Sequence, residues 1–427
     1  MSEDGPIRAH GREFPATIHG RNRVSPLSSQ MRFFVVLIGT MVLLNLLWCV
    51  ISARIAKPKF ARIALSMFAL VQLAGLIWLL THRFVRAEST IPLARFAMVT
   101  LFIWHMILLP VLFLLAVALL PILVMVSLFR SARRLRNFRC TREPEAGAMS
   151  RRQFLGVAIA ATPPLFNLGL ATVAMRQLAQ FRVRRFDLPI VGLPRDLHGL
   201  TITQISDMHV GRFTSGRILR EVVAVVNELR SDLVVLTGDL INDALADLDH
   251  ALDLVRSMQA VYGAYLIEGN HDLIDNGPEF ERRVKQSGVP FLLDESVVIT
   301  IRGAPLQLLG LSWTRARKNR DAAIATAVRH LLRQHQPETF PILLAHHPHA
   351  FDAAAAASVP LTLSGHTHGG QLMLNDQCGF GPALFRYWSG LYSKGASRLV
   401  VSNGVGNWFP LRLRAPAELL HLTLLST

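Results

Sequence analysis

Hydrophobic and polar positions divide the chain into two textures. In the first, long runs are apolar on every side: Phe33 to Ile51 is broken only by Thr40 and Asn45, and Ile63 to Leu80 carries Gln72. A helix needs about 20 such residues to cross the hydrocarbon core of a bilayer. Phe96 to Phe129 is apolar for longer still and contains Pro110 and Pro121. One long kinked helix is the first reading, because proline is tolerated in membrane helices, and two short re-entrant passes are the second. Phe154 to Ala174 makes a fourth stretch, with Pro163-Pro164 inside it. The pattern predicts a membrane region over residues 31–175 with helices at 33–51, 63–80, 96–129 and 154–174, after a disordered basic tail at 1–30.

From about Val183 the texture changes. Thr201 to Ser206, Leu233 to Thr237, Ala264 to Ile267, Gln307 to Leu311, Ile342 to Ala345 and Leu361 to Leu363 read as buried strands. Helix-length stretches lie between them at Gly216 to Arg230, Leu245 to Gln259 and Asp321 to Gln334; the first carries an apolar stripe of Ile218, Leu219, Val222, Val223 and Val226. Alternating strand and helix predict an α/β domain over residues 185–427 with at least one largely parallel sheet. Ligands in such folds gather at the C-terminal ends of the strands.

Composition supports the division. Hydrophobic residues make up 51% of the chain and mean hydropathy is +0.35, too apolar for an ordinary soluble protein. A net charge of +16 would fit a nucleic-acid binder, but its distribution argues otherwise. Residues 1–185 hold 24 Lys and Arg against 6 Asp and Glu, while residues 186–427 hold 21 against 23. The excess sits in the apolar half, where it signals topology and headgroup contact rather than a groove that tracks phosphates. Cys49, Cys140 and Cys378 are too scattered for a disulfide framework or a zinc ribbon.

The chemistry lies at the ends of the expected strands. In order come Asp207-Met208-His209, Gly238-Asp239, Gly269-Asn270-His271-Asp272, His346-His347-Pro348 and Gly365-His366-Thr367-His368. Each block alone fits a turn or a helix cap. Together, each directly after an apolar run, they deliver metal-type ligands to one edge of a sheet.

This order resembles the calcineurin-like metallophosphoesterase family over about residues 185–427, within its membrane-anchored and twin-arginine-exported branch. The resemblance implies a four-layer α/β/β/α sandwich holding two metal ions. Asp207, His209 and His368 would hold the first, Asn270, His346 and His366 the second, and Asp239 would bridge them. Mixed nitrogen and oxygen ligands without thiolate suit Mn, Fe, Zn or Co. Two such cations neutralise the anionic oxygens that protect a phosphoester from attack. By the same resemblance His271 donates a proton to the leaving oxygen, Asp272 orients that imidazole, and a solvent-derived hydroxide is the nucleophile. His347 would point away from the site if strand geometry persists. The role of His349 stays open, His82 and His105 read as interfacial or packing residues, and Arg212, Gln371 and Asn403 have substrate and surface readings of equal weight.

Topology follows from the charges. Eight arginines between Arg130 and Arg152 place that loop in the cytoplasm. Ser150-Arg151-Arg152-Gln153-Phe154-Leu155 resembles a twin-arginine export motif, which implies a bacterial-type inner membrane; Arg-Arg in an ordinary cytoplasmic flank is the other reading. Both put residues after Ala174 on the far side. Four crossings would leave the arginine-bearing N-terminal tail outside, and a double crossing by the third stretch would bring it inside. The expected function is hydrolysis of a phosphodiester or pyrophosphate bond, with a lipid such as UDP-2,3-diacylglucosamine as one substrate class. A membrane scaffold or sensor that keeps the fold without chemistry and an exported nuclease are the alternatives.

Overall fold

The computed structural model describes residues 29–81, 92–134, 149–178, 180–314, 316, 318–371, 373–375, 378–412 and 414–427. The basic tail through residue 28, His82, and the stretch 135–148 with Cys140 lie outside the described residues.

Five helices come first: α1 (Ser29–Ile55), α2 (Lys59–Thr81), α3 (Pro92–Ile103), α4 (Leu109–Arg134) and α5 (Arg151–Gln177). They supply four candidate spans: Val36–Ile55, Lys59–Trp78, Arg95–Phe129 and Arg151–Gln177. The third expected stretch is one continuous helical run, because α3 and α4 are joined by a π turn at Trp104–Leu108. Pro110 follows that turn and would collide with the carbonyl four residues earlier, and a widened turn relieves the collision. Arg130 to Arg134 extend α4 rather than opening a loop. Ser150 and Gln153 form a reciprocal capping box at the start of α5, with bonds of 3.2 and 2.9 Å.

The rest of the chain alternates strand and helix. It begins with β1 (Arg182–Ile190), β2 (Leu200–Ile205), α6 (Arg217–Glu228), β3 (Leu233–Thr237), α7 (Leu248–Arg256), β4 (Ala264–Ile267) and α8 (Gly277–Gln286). There follow β5 (Glu295–Ile301), β6 (Ala304–Leu311), α9 (Arg320–Leu331), β7 (Phe340–Ala345), α10 (Ala350–Ala356) and β8 (Leu361–Ser364). The chain closes with β9 (Met373–Asn375), β10 (Cys378–Gly379), β11 (Gly390–Lys394), β12 (Ser397–Val401) and β13 (Glu418–Ser426).

Two sheets result. One has the order β1-β13-β2-β3-β4 and the other β11-β12-β8-β7-β6-β5, while β9 and β10 form a separate small ribbon. The strands that carry the motifs run parallel to their neighbours, β2 with β3 and β4, and β6 with β7 and β8. The alternation of side chains sorts them into layers. Leu233 and Val235 of β3 meet Ile342 and Leu344 of β7 in the core between the sheets. Val234 and Leu236 turn the other way onto Val222, Leu252 and Phe280 of α6, α7 and α8. Leu343 and Ala345 face Ile324, Val328 and Ala354 of α9 and α10. The architecture is therefore an α/β/β/α sandwich preceded by long apolar helices, and the C-terminal ends of β2, β3, β4, β7 and β8 converge on one edge.

Candidate metal centre

Each strand end turns sharply to present its ligand. Asp207, His209, Asp239, His366 and His368 all have positive φ, between 44 and 75°. Such a conformation costs a residue with a side chain about 1–3 kcal/mol, so its recurrence at five positions around one space marks a functional site. Two glycines make room. Gly238 has φ 87° and a Cβ there would lie 2.7 Å from His346 Nδ1, whereas a Cβ on Gly365 would run into Ser206 and Asp207. Beneath the edge, Gln204 donates to Thr237 Oγ1 (3.1 Å) and to the Ser364 carbonyl (2.9 Å), tying the two sheets together.

The side chains form overlapping groups. Asp207, His209 and His368 each place one donor atom within 4.8 Å of the others, as do Asp239, His346 and His366; His209, Asp239 and His271 make a third such group. Most of them are buried: Asp207 and His209 are 0% exposed, Asp239 1%, and His346 and His368 2%. The Asn270 side-chain oxygen is buried and has no hydrogen-bond partner among the described residues.

Hydrogen bonding fixes several protonation states. His346 Nδ1 lies 2.7 Å from the Thr237 carbonyl, which only accepts, so Nδ1 carries a proton. Nε2 of that ring faces Asp239 Oδ2 at 3.1 Å, a contact that is favourable only when a proton on Nε2 or a metal cation joins the two. Burial opposes charge on His346, yet the Asp239 carboxylate raises its pKa to about 9, which expresses the same demand for a positive charge. Burial pushes His209 and His366 down to about 3, so both rings are neutral donors. Asp207 is held well below the usual carboxylate range despite its burial, by His368 and His209. Two buried carboxylates and a ring of imidazoles, two of them held neutral by burial and one held charged by Asp239 until a cation replaces its proton, form a donor set that fits divalent cations.

The geometry alters one expected role. His271 presents Nδ1 to the Asn242 carbonyl at 2.6 Å, and its backbone N–H donates to Asp239 Oδ1 at 2.7 Å. Among the described residues no hydrogen bond joins Asp272 to the His271 ring. The Asp272 carboxylate instead accepts from the N–H groups of Ile241 (3.0 Å) and Gly269 (2.8 Å), stapling the turns after β3 and β4 together. Burial and the neighbouring Asp239 push its pKa well above the usual range. A backbone carbonyl orients the imidazole, and no residue type in the sequence announces that.

The remaining candidates separate clearly. His347 is outside the ligand groups; its Nδ1 accepts from the His349 N–H at 3.2 Å and its ring lies 5.6 Å from Trp313. His349 pairs with Asp321 at 3.2 Å, and His105 is buried in the helical region. Asn403 is buried against Met373, and Arg212 is partly exposed. With its amide turned to satisfy both neighbours, Gln371 bridges Leu411 O (2.7 Å) and Trp408 Nε1 (3.0 Å).

Arg412 was not foreshadowed. It is 2% exposed, and its Nη2 donates to His368 Nδ1 at 2.8 Å and to Gly406 O at 2.5 Å. Nη1 donates to Asn403 O at 2.8 Å and Nε to Asn407 Oδ1 at 2.7 Å. One buried guanidinium thus holds the loop after β12 against a ligand-bearing turn. Its only sequence signal is an arginine between Leu411 and Leu413, with no motif around it.

Residues 200–370 match the family model described as calcineurin-like phosphoesterase. This is a calcineurin-like metallophosphoesterase domain. The chain is 29% identical over 303 residues to a transmembrane protein with metallophosphoesterase domain from Danio rerio, covering 69% of this chain and 68% of that one. It is 29% identical over 294 residues to the uncharacterized metallophosphoesterase YkuE of Bacillus subtilis, covering 65% and 99%. It is 26% identical over 230 residues to phosphodiesterase YaeI of Escherichia coli, covering 52% and 80%. The metallophosphoesterase domain follows helices long and apolar enough to cross a membrane, and it belongs to a class of metal-dependent hydrolases.

Proposed function

We propose that residues 31–175 anchor the chain in a membrane and that residues 185–427 hydrolyse a phosphodiester or pyrophosphate bond with two metal ions. Asp207, His209 and His368 would hold one ion, Asn270, His346 and His366 the other, and Asp239 both. The observation that carries this reading is the clustering of donor atoms in two groups, Asp207 with His209 and His368 and Asp239 with His346 and His366, linked by Asp239, which lies 3.6 Å from His209 as well as 3.1 Å from His346. When bound, the two cations would neutralise the phosphoryl oxygens and supply a nucleophile from water.

The chain's own groups do the rest. Asp239 accepts the His271 N–H and so ties the proton donor to the ligand cluster. His271, with Nδ1 committed to Asn242, keeps Nε2 for the leaving oxygen. Asp272 braces the turns that carry both. Arg412 braces the loop after β12 behind His368 through the Asn403 and Gly406 carbonyls.

Charge supports an external catalytic domain. Gly156 near the start of α5 packs against the Ile55 carbonyl at the end of α1, so Arg54, Lys57, Arg151 and Arg152 gather at one end of the bundle. The catalytic domain continues from the other end of α5, and a basic end faces the cytoplasm.

The test is hydrolysis of bis-p-nitrophenyl phosphate by the full chain in detergent with added Mn²⁺. Activity is expected, and His271→Ala should lower kcat about 10²- to 10⁴-fold with its metal content unchanged. A wild-type chain that loads metal and hydrolyses nothing, or a His271→Ala variant with full activity, refutes the proposal.

A further inference from the structure

The rim of the metal centre is continuous with the helical region. Phe213, four residues beyond His209, meets Phe102 of α3 edge-on at 5.4 Å, and Phe409 meets the same ring at 6.1 Å. Arg95 donates from Nη2 to Ser215 Oγ at 2.9 Å. Trp408, beside Phe409, lies at the opening, 5.8 Å from the His271 ring and 6.4 Å from that of His368.

The depth of these contacts follows from helix register. Trp104 Nε1 donates to Asn45 Oδ1 at 3.4 Å, and Asn45 lies near the middle of the span Val36–Ile55. Asn45 also donates to the Ala69 carbonyl at 3.2 Å, and Gly75 packs on Leu101. Helix α3 therefore runs antiparallel to α2 and parallel to α1, with Arg95 near the start of the apolar span and Phe102 inside it. At 1.5 Å per residue the rim loops follow about 10 Å of α3. They run from the outer end of the apolar span, at Arg95, toward its middle, at Phe102, rather than standing above it.

The opening is edged by exposed apolar side chains. Trp408 is 39% exposed, Phe380 51%, Leu384 58% and Leu374 66%. The last three belong to the segment directly after Gly370, which abuts Phe380 and Gly381. Phe385 of the same segment lies 5.6 Å from the His366 ring, so the exposed Phe380 and Leu384 stand near the opening, and with Trp408 they make more exposed apolar surface at a catalytic mouth than one scattered leucine would. Tryptophan favours the interfacial layer, and Arg212 and Arg414, next to the rim loops in sequence, offer charge to anionic headgroups.

We infer that the Phe213 and Phe409 loops dip into the leaflet on the catalytic side, which sets the mouth of the metal centre at headgroup depth, and that the site takes its phosphoester from a membrane lipid that enters sideways between Trp408 and the 380–385 segment. This deepens the proposed function and rests on it. A lipid phosphate lies at headgroup depth while its acyl chains stay in the bilayer, so such a substrate reaches the metals without leaving the membrane. A nucleic acid or a soluble phosphoprotein would gain nothing from an apolar rim.

The test uses the full chain in nanodiscs of phosphatidylcholine and phosphatidylglycerol that contain a phospholipid with a diazirine on its acyl chain. Photolabelling is expected on Leu374, Phe380, Leu384 or Trp408 as well as on the spanning helices. A rim left unlabelled while the helices are labelled overturns the inference and assigns the patch to a protein partner. The double variant Phe380→Ser/Leu384→Ser changes only exposed side chains. It should hydrolyse an acyl-chain phosphodiester in the nanodisc about fivefold or more slowly, with bis-p-nitrophenyl phosphate hydrolysis within about twofold of wild type. Equal falls on both substrates overturn the lipid route. If the chain hydrolyses neither substrate, the proposed function fails, and the labelling still reports whether the rim meets lipid.

Discussion

The two halves of the metal centre are made from similar residues but enclosed differently. Asp207, His209 and His368 are nearly inaccessible, and His368 is backed by Arg412 at 2.8 Å. On the other side Asn270 and His366 are partly exposed, and the His366 ring sits 5.0 Å from that of Trp313 and 5.6 Å from that of Phe385. The first half is closed from behind by a buried guanidinium and the loop it braces, whereas the second is walled by aromatic rings and partly exposed. We expect a tightly held ion in the first half and an exchangeable one in the second.

Breaking both halves at once should have the largest effect. Asp239 touches His209 and His346 at 3.6 and 3.1 Å, so it belongs to neither half alone. Asp239→Asn keeps the shape and removes the charge; steady-state hydrolysis should fall by about 10³-fold or more, with both ions weakened. Hydrolysis within tenfold of wild type would remove Asp239 from the centre.

Breaking the halves separately sharpens the contrast. His368→Ala and His366→Ala should each purify with about one fewer ion per chain, and dialysis of wild type against a chelator should strip the His366-side ion first. Elemental analysis of the two variants before and after dialysis reads this directly. Loss of the same ion from both variants would mean that the two histidines share one metal.

A smaller effect should come from the backing alone. Arg412→Gln removes the guanidinium that ties the Asn403 and Gly406 carbonyls together behind His368, and should weaken the first ion about tenfold while leaving the second near its wild-type affinity. Calorimetric titration of the metal-free protein measures both affinities. An equal loss at both sites would make Arg412 a general stabiliser of the fold rather than a support for one half.

Different physics explains what could be read in advance. The expected runs Leu233 to Thr237 and Ala264 to Ile267 coincide with β3 and β4: β3 is buried along its whole length and so continuously apolar, and β4, at the sheet edge, keeps its buried end at Leu266 and Ile267. The ligand-bearing blocks were legible for a related reason: a parallel sheet sends its strand ends to one edge, so chemical residues directly after such runs meet there. The supports of the site were not legible. His271 is held by a carbonyl of Asn242, and every residue has a carbonyl. Arg412 reaches His368 across 44 positions of sequence, in a loop with no periodic pattern. Asp272 stood next to the imidazole in sequence, but the turn after β4 aims its carboxylate at the backbone N–H groups of Ile241 and Gly269. In the membrane half composition exposed the spans, while the π turn before Pro110 arises from a local steric conflict that hydropathy does not register.

The central claim is a two-metal centre with Asp239 shared between its halves. Titrating the metal-free full chain with Mn²⁺ while counting bound ions tests it most directly. The account predicts two ions per chain at saturation for wild type, and Asp239→Asn that fails to hold both at the same concentration. Saturation at one ion, or two ions held equally well without the Asp239 carboxylate, would contradict it.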